Sequence, residues 1–274
     1  LCKLKSDFVI SCGSSLAGLN FIVASESKAK GICILKPGLL PLGRFKAVIM
    51  PAHDNPPQKK NVFITLGSPN LVDEQYLAEK KSALIKRLPQ LSSIKSAIGI
   101  LIGGNTKDTD LDVQSLNAAL DTVKKKAEEA SADILLTTSR RTPAELVSSI
   151  KEKFSAFPRT KLLVIANENN FPEAMGGILA LSKIVIATED SISMISEAAS
   201  SGNSVIVIRS AQGRGFKSAS RHDRFLQKLQ SEEMIILTDA SHLGEKLDAL
   251  MQGKIKTRRL ADREAVTRAV DFAI

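Results

Sequence analysis

The sequence predicts an α/β protein built from two Rossmann-like domains, each a parallel sheet with helices packed on its faces. Short apolar runs rich in β-branched residues alternate with helical segments along the whole chain, which is the pattern of βαβ units. A polar stretch after Pro89, from Gln90 to Ser96, separates two series of such runs. We therefore expect an N-terminal domain over residues 1–92 and a C-terminal domain over residues 93–274, facing each other across a cleft.

The N-terminal domain is predicted to contain four strands and two helices. The strands are expected at residues 8–12, 31–35, 47–50 and 62–66, and the helices at 16–25 and 73–88. A Rossmann-like domain has about six strands, so we expect this one to be incomplete, with its opening strands missing. The chain also opens with Leu1 and shows no leader pattern, which suggests a truncated or processed start.

The C-terminal domain is predicted to be a complete Rossmann-like domain of six strands. The strands are expected at residues 97–102, 134–137, 161–165, 184–187, 205–208 and 235–237. The best-defined helices between them are expected at 111–130, 143–154, 191–200 and 221–230.

Composition excludes several classes of protein. The 43% apolar and 24% charged content is that of a globular protein, and no apolar run approaches the ~20 residues that span a bilayer. Three cysteines confined to the first 33 residues suit buried thiols in a reducing compartment, so we expect a cytoplasmic location. The net charge of +9 is scattered along the chain, and one Tyr with no Trp offers little for bases to stack on, which argues against nucleic-acid binding.

The segment from Ile184 to Gly202 predicts a phosphate and ribose site. A buried strand leads into a polar turn and then a helix, whose first-turn N–H groups favour an anion. Ser191 or Asp190 is expected to cap this helix, and Ser193 and Glu197, four residues apart, share one of its faces. A carboxylate one turn deeper than the anion can accept hydrogen bonds from two ribose hydroxyls. The alternative is a simple helix cap and a solvated glutamate.

Two further loops are expected at the same edge of the sheet, because ligands of parallel sheets lie beyond the carboxyl ends of the strands. In Gly103-Gly104-Asn105-Thr106-Lys107, two glycines allow close approach of a phosphate, and Thr106 and Lys107 add a hydroxyl and a charge. A tight turn would require the same glycines. In the loop from Thr137 to Pro143, Arg140 and Arg141 cannot both point into the cleft, so we expect one of them, Arg140, to reach a diphosphate or carboxylate while the other is solvated. Two surface arginines are an equal alternative.

In the N-terminal domain, His53 and Asp54 follow a strand and are candidates for a general base. Histidine titrates near neutral pH, which suits proton transfer from an acceptor. The alternative is a hydrogen bond that locks a loop between prolines. The sequence suggests no metal site.

Four segments in this order resemble the mitochondrial fission factor family of plants, named for elongated mitochondria, which has many bacterial relatives. They are PAHDNPPQKKNVFITLGSPN, ILIGGNTK, TTSRRTP and TEDSISMISEAASSG, and together they span roughly His53 to Gly202. The resemblance implies a GT-B fold, the two-Rossmann-domain architecture of many glycosyltransferases. It implies that Gly103, Gly104, Ser191 and Ser193 hold a diphosphate and Glu197 a ribose. The last segment, continued to Arg209, also resembles the TDSGG-type segment of sugar-nucleotide 2-epimerases, but Ile192 and Ser193 replace its two glycines.

Three functions are therefore expected from the sequence. The first is a metal-independent glycosyltransferase that takes a nucleoside-diphosphate sugar as donor and an unknown acceptor, without a cofactor. The second is a 2-epimerase that uses the same nucleotide pocket. The third, implied by the resemblance, is a non-catalytic fission factor that recruits a dynamin-related protein, at the outer mitochondrial surface if the chain is eukaryotic.

Overall fold

The structure is a computed structural model that describes residues 5–106, 110–209 and 220–274, and within them ten strands form two separate sheets. The helices and strands in chain order are β1 (Phe8–Cys12), α1 (Ser14–Ser27), β2 (Lys30–Ile34), β3 (Ala47–Pro51), β4 (Val62–Thr65), α2 (Glu74–Arg87), β5 (Ala97–Ile102), α3 (Val113–Glu129), β6 (Asp133–Thr138), α4 (Ala144–Phe154), β7 (Thr160–Val164), α5 (Ala174–Leu181), β8 (Ile184–Thr188), α6 (Ile192–Ser200), β9 (Ser204–Ile208), α7 (Arg221–Ser231), β10 (Ile236–Thr238), α8 (Leu243–Met251) and α9 (Arg263–Ala273). The first sheet has the order β1-β2-β3-β4, and the second has the order β10-β9-β8-β5-β6-β7. All neighbouring strands in both sheets run parallel, which confirms the predicted α/β class.

The first sheet belongs to a compact unit formed by the residues up to Pro69, with Arg221–Phe225 and Ala261–Ile274. Because side chains alternate along a strand, β2 and β3 each bury residues on both faces of the sheet. One face packs under α1, and its buried residues are Ala17, Cys33, Phe45, Val48 and Met50. The opposite face packs under α9, and its buried residues are Ile32, Ala47, Ile49, Ala269 and Ala273.

The C-terminal helix α9 is joined to the first sheet by a carboxylate. Both side-chain oxygens of Asp262 accept hydrogen bonds from backbone N–H groups just beyond β4, those of Leu66 at 2.8 Å and Gly67 at 2.7 Å. Burial raises the pKa of Asp262, and these two bonds act in the opposite direction by favouring the ionised form. The end of the chain is thereby fixed to its first unit.

The second sheet belongs to a larger unit, formed by Asn70–Ser220 and Leu226–Leu260. Its central strands β5 and β8 are buried along their whole length, as continuous apolar runs in parallel strands predict. The chain moves outward from β5 through β6 to β7, and then returns to β8 on the other side of β5. The loops after β5 and β8 therefore diverge at a topological switch point, where open α/β sheets bind ligands.

Helix α2 belongs to the second unit, so the division falls between Pro69 and Asn70 and not at the expected 92/93 boundary. The partner of α2 is α5, whose glycines allow a close approach. A Cβ atom built at Gly177 would lie 2.3 Å from Leu84 Cδ2, and one at Gly176 would lie 2.6 Å from Lys80 Cγ.

The strands begin and end within one residue of their predicted positions. Helices α5, α8 and α9 are not individually predicted by the sequence. Helix α3 begins at Val113 and not at Leu111, since the side chain of Asp112 caps it by accepting from the N–H groups of Gln114 and Ser115. Of the cysteines that the structure describes, Cys33 is buried, but Cys12 is exposed. No helix in the described ranges combines the length and apolarity required to cross a bilayer.

We expect Asp262→Ala to lower the free energy of unfolding by about 1–3 kcal/mol, because two partly buried backbone N–H groups lose their acceptor. Asp271→Ala, which removes an exposed carboxylate from the same helix, is the control and should change stability little. Urea unfolding of both variants measures the effect. Equal stability of the two variants would contradict the assigned role of Asp262.

Candidate functional site

The glycine loop after β5 is bonded to the turn after β8. The backbone N–H of Gly103 donates to Thr188 Oγ1 at 2.8 Å, and that of Gly104 donates to Asp190 Oδ2 at 2.8 Å. Both glycines are buried. Their N–H groups therefore already have partners within the protein, so the predicted contact of these groups with a phosphate stays a prediction that the observed bonds do not favour.

Both positions require glycine because of what lies next to their α-carbons. A Cβ atom at Gly103 would lie 2.1 Å from both carboxylate oxygens of Asp190, and one at Gly104 would lie 2.2 Å from the carbonyl carbon and oxygen of Arg141. No side chain fits at these distances. The two glycines thus allow three loops to approach one another.

Asp190 is the centre of this arrangement, and its side chain is completely buried. The Thr188 hydroxyl oxygen accepts from Gly103, so its proton is available for Asp190 Oδ1, which lies 2.6 Å away. One carboxylate oxygen is then bonded to a hydroxyl and the other to the Gly104 N–H. We call Gly103, Gly104, Thr188, Asp190, Arg141 and Thr142 the loop junction.

The loop after β6 completes the junction. The Thr142 hydroxyl donates to the Gly103 carbonyl at 2.5 Å, and the Asn105 N–H donates to the Arg141 carbonyl at 3.3 Å. The guanidinium of Arg141 lies 3.8 Å from Asp190 Oδ2. The structure therefore brings together the ends of β5, β6 and β8, three neighbouring strands of the second sheet.

Of the two adjacent arginines, the structure brings Arg141 to Asp190, whereas the sequence favours Arg140. Arg140 is exposed, and its carbonyl accepts a hydrogen bond from Asn167 Nδ2 at 3.1 Å. Within the described ranges, its guanidinium has no hydrogen bond or ion pair. The role of Arg140 in binding a diphosphate stays a prediction.

The remaining residues of the glycine loop lie nearer the surface. Asn105 is exposed, and its side-chain oxygen accepts from the Leu111 N–H at 2.9 Å. Thr106 is half-buried, and the predicted Lys107 lies outside the described residues. The Asn105 side chain thus joins the start of the glycine loop to the backbone just before α3.

Helix α6 begins as predicted, at a serine cap. Ser191 Oγ accepts from the N–H of Met194 at 3.4 Å, and Ser193 is exposed in the first turn. Asp190, which the sequence offered as an alternative cap, belongs to the loop junction instead. The first turn of α6 therefore presents Ser191 and Ser193 next to the junction.

Glu197 lies one turn further along α6 and is half-buried. Burial raises the pKa of its carboxyl group, and burial, with a smaller contribution from the charge of Glu197, raises the pKa of Tyr76 on α2. In the part of the chain that the structure describes, no hydrogen bond or ion pair reaches the Glu197 carboxylate. A desolvated carboxylate without a donor has a strong tendency to accept hydrogen bonds from a ligand.

Glu189, an acidic residue in the turn between β8 and α6, forms an ion pair. Arg209 Nε, beyond β9, lies 3.3 Å from Glu189 Oε2, whose side chain is 10% exposed. Arg209 is the residue that the resemblance to 2-epimerases pointed to. In this structure its guanidinium supports the turn before Ser191.

In the first unit, His53 and Asp54 form a cluster with the start of α7. Asp54 makes a two-point ion pair with Arg221, with Nε to Oδ1 at 2.5 Å and Nη2 to Oδ2 at 3.2 Å. His53 is 3% exposed, and burial lowers its pKa from 6.5 to about 4 despite the opposing charge of Asp54. Arg221 Nη2 lies 3.5 Å from His53 Nε2, and because a guanidinium can only donate, this contact favours the tautomer whose lone pair is on Nε2. The buried Nδ1 of His53 has no hydrogen-bond partner among the described residues.

These contacts hold the loop after β3 against the start of α7, as the structural alternative predicts. The lone pair of His53 faces an arginine, and the Asp54 carboxylate is already paired, so neither group is ready to accept a proton. The catalytic role of both residues stays a prediction, and it requires the Arg221 pair to open. Among the residues described, no group of three or more His, Cys, Asp or Glu side chains is placed to hold a metal ion.

The sequence did not predict the roles of Thr188 and Thr142, and of the two candidate arginines it favoured Arg140 over Arg141. A usable signal existed for the first, because a Thr-x-Asp sequence directly after a buried strand offers a hydroxyl and a carboxylate to a neighbouring glycine loop. The choice between adjacent arginines had no such signal.

Comparison with known proteins identifies both the fold and the family. The sequence model of the family described as "Mitochondrial fission ELM1" matches residues 3–273. An uncharacterized protein of Rickettsia prowazekii is 27% identical over 302 residues, which cover 99% of this chain and 81% of that protein.

Solved structures show that the fold is of the GT-B type found in glycosyltransferases and epimerases. A candidate UDP-N-acetylglucosamine 2-epimerase from Listeria monocytogenes superimposes with a TM-score of 0.59, at 12% identity, over 96% of this chain and 73% of that one. The ADP-heptose heptosyltransferase II of E. coli superimposes with a TM-score of 0.51, at 13% identity, over 90% of this chain and 77% of that one. At such identities the likeness establishes the fold alone.

We expect Gly104→Ala to lower the free energy of unfolding by about 2 kcal/mol or more, because the added methyl group meets backbone atoms of Arg141 that cannot rotate away. Gly244→Ala in α8 is the matched control, since its methyl group meets only side-chain atoms at ordinary contact distances, Thr122 Cγ2 at 3.4 Å and Lys126 Cε at 3.7 Å. It should be neutral or slightly stabilising. Thermal unfolding of both variants checks this, and a Gly104→Ala protein as stable as the control would disprove the close approach.

We expect stability to fall as the pH drops from about 6.5 to about 4, in part because of His53. Its folded pKa is depressed, so only the unfolded chain binds a proton in this window, and the contribution present above pH 6.5 is lost, on the order of 3 kcal/mol. His53→Gln, which can still accept from Arg221, should flatten the profile. Parallel profiles of variant and wild type would contradict the burial of His53 in its neutral form.

Proposed function

The chain belongs to the mitochondrial fission ELM1 family, and we propose that it binds a nucleoside-diphosphate sugar at the carboxyl edge of its second sheet and transfers the sugar to an acceptor. The observation that carries this proposal is the half-buried Glu197 carboxylate, for which the described residues supply no hydrogen-bond donor. The names of the compared structures include both a UDP-sugar and an ADP-sugar enzyme, so both nucleotides are candidates.

Glu197 suits the ribose of a nucleotide. Two adjacent hydroxyl groups are paired donors, and one carboxylate can accept from both. Burial already disfavours the charged form of Glu197, as its raised pKa indicates, so donors from a ligand would recover interaction energy that the protein itself does not supply. Glu197 is six residues beyond Ser191, a rise of about 9 Å along the helix. This separates a ribose subsite from the start of α6.

The diphosphate is proposed to lie at the start of α6. Ser191 and the exposed Ser193 offer hydroxyl and first-turn N–H groups there, and the positive end of the helix dipole favours an anion. Asn105 and Thr106 border the neighbouring loop. Gly103 and Gly104 then act as supports, since their N–H groups hold the turn after β8.

In the proposed reaction, the acceptor oxygen forms a bond to the anomeric carbon while the bond from that carbon to the diphosphate oxygen breaks. The nucleoside diphosphate leaves with the electron pair. An arginine of the loop after β6, Arg140 or Arg141, and the start of α6 can stabilise the charge on the leaving group. The step as proposed therefore needs neither metal nor cofactor. A base must take the proton of the acceptor, and His53 or Asp54 would serve only after Arg221 releases them.

We expect Glu197→Ala to weaken the binding of UDP or ADP by about 10-fold or more, as expected for the loss of two charge-assisted hydrogen bonds. The measurement is isothermal titration calorimetry. The matched control is Glu152→Ala, an exposed helical glutamate of the same unit, which should bind as wild type does. Unchanged affinity in Glu197→Ala would refute the ribose contact.

Measuring the unfolding stability of Glu197 variants shows whether weak binding results from a loss of the fold. The folded pKa of Glu197 is raised above its ordinary 4.5, so the associated stability is present below that pH and is lost as the pH rises through the folded pKa. Glu197→Gln should therefore be at least as stable as wild type at pH 7–8, with the difference vanishing near pH 4. Weak binding by a variant of equal or greater stability assigns the effect to the ligand contact.

Product analysis distinguishes sugar transfer from the two other functions. An epimerase would convert the sugar nucleotide without an acceptor. A scaffold that recruits a dynamin-related partner, in the cytoplasm or at the mitochondrial surface, would consume none. Product analysis by NMR with UDP-N-acetylglucosamine and ADP-heptose, with and without acceptor mixtures, distinguishes the three cases.

A further inference from the structure

We propose that Arg141, held in place by Asp190, is the side chain that binds the diphosphate, and that the adjacent Arg140 is not. This inference rests on the proposed function and names one residue within that site. It is carried by the way the loop after β6 is fixed.

The backbone of Arg141 is fixed on both sides. Its N–H donates to Ser139 Oγ at 3.2 Å, and its carbonyl accepts from the Asn105 N–H at 3.3 Å. The same carbonyl group abuts Gly104, where a Cβ atom would lie 2.2 Å from it. The starting point of the Arg141 side chain is therefore set by the loop junction.

The Asp190 carboxylate attracts the guanidinium of Arg141 without accepting a hydrogen bond from it. The guanidinium lies 3.8 Å from Asp190 Oδ2, which is close enough for attraction but too long for a hydrogen bond. The Asp190 carboxylate already accepts from Gly104 and Thr188. Within the described ranges, the Arg141 side chain donates no hydrogen bond, so all five of its donors remain available to a ligand.

A purely stabilising role explains this arrangement poorly. The Arg141 side chain is 51% exposed, and solvent screens an ion pair of that kind until it contributes little to stability. Because the loop junction fixes its backbone, however, the Arg141 side chain loses less conformational entropy on binding an anion than an arginine on an unconstrained loop does. Its target is an anion beside Asp190, the residue that directly precedes the Ser191 cap of α6.

Arg140 lacks these features. Its carbonyl is bonded to Asn167 in the loop after β7, on the side away from β8 in the strand order. Its side chain is exposed and has no partner that the described residues provide. Arg140 is thus a matched control, one residue away and of the same type.

The test is calorimetric titration of wild type, Arg140→Ala, Arg141→Ala and Arg141→Lys with UDP and with uridine, or with ADP and adenosine if wild type binds the adenine nucleotide. We expect Arg141→Ala to weaken binding of the diphosphate by about 10- to 100-fold and to leave nucleoside binding unchanged. Arg140→Ala should stay within about twofold of wild type for both probes. Arg141→Lys should recover only part of the affinity, because a point charge lacks the planar fork of donors.

Two outcomes overturn the inference while leaving the proposed function intact. One is equal diphosphate affinity in the two alanine variants, or a greater loss in Arg140→Ala. The other is a loss in Arg141→Ala that affects nucleoside and diphosphate alike, which would assign Arg141 a structural role. If wild type binds neither nucleotide, the proposed function fails, and this inference fails with it.

Discussion

The buried carboxylate of Asp190 is the interaction on which the geometry of the candidate site depends. It accepts from Gly104 and from Thr188, and it attracts Arg141, so it ties together the loops after three neighbouring strands. A fully buried carboxylate is stable only when its oxygens have donors, and removing one donor leaves a costly unpaired charge. The loops are therefore constrained jointly: a shift in any one of them would leave a buried polar group without its partner.

This constraint also explains the division of work within the site. The glycine N–H groups, which would be obvious anion ligands in an open loop, are used to hold the turn after β8. In the proposed function, the ligand is therefore contacted by other groups: the Arg141 guanidinium, the first turn of α6 and Glu197. The Asp190 carboxylate has hydrogen-bond donors within the protein, whereas the Glu197 carboxylate has none among the described residues, and the proposed function is based on this contrast between two carboxylates seven residues apart.

Much of the fold was predictable, because buried parallel strands appear as continuous apolar runs and caps have local signatures. The strands from β5 to β9 and the cap at Ser191 were found in this way. Helix α9 was not, since its partner is a sheet some 200 residues earlier in the chain, and packing at that separation leaves no local signal. The sequence also placed Gly103 and Ser191 at one sheet edge correctly. It could not show which atoms meet there, because the partner of an N–H group, or the choice between Arg140 and Arg141, depends on tertiary distances of a few tenths of an ångström.

The most direct test of the central claim, a ribose contact at Glu197, is saturation-transfer difference NMR of UDP and ADP with the wild-type protein. The account predicts that one of the two nucleotides receives saturation, and that its ribose H2′ and H3′ protons receive the most, because they lie against the half-buried face of α6. Saturation confined to the base, or none on either nucleotide, would contradict it.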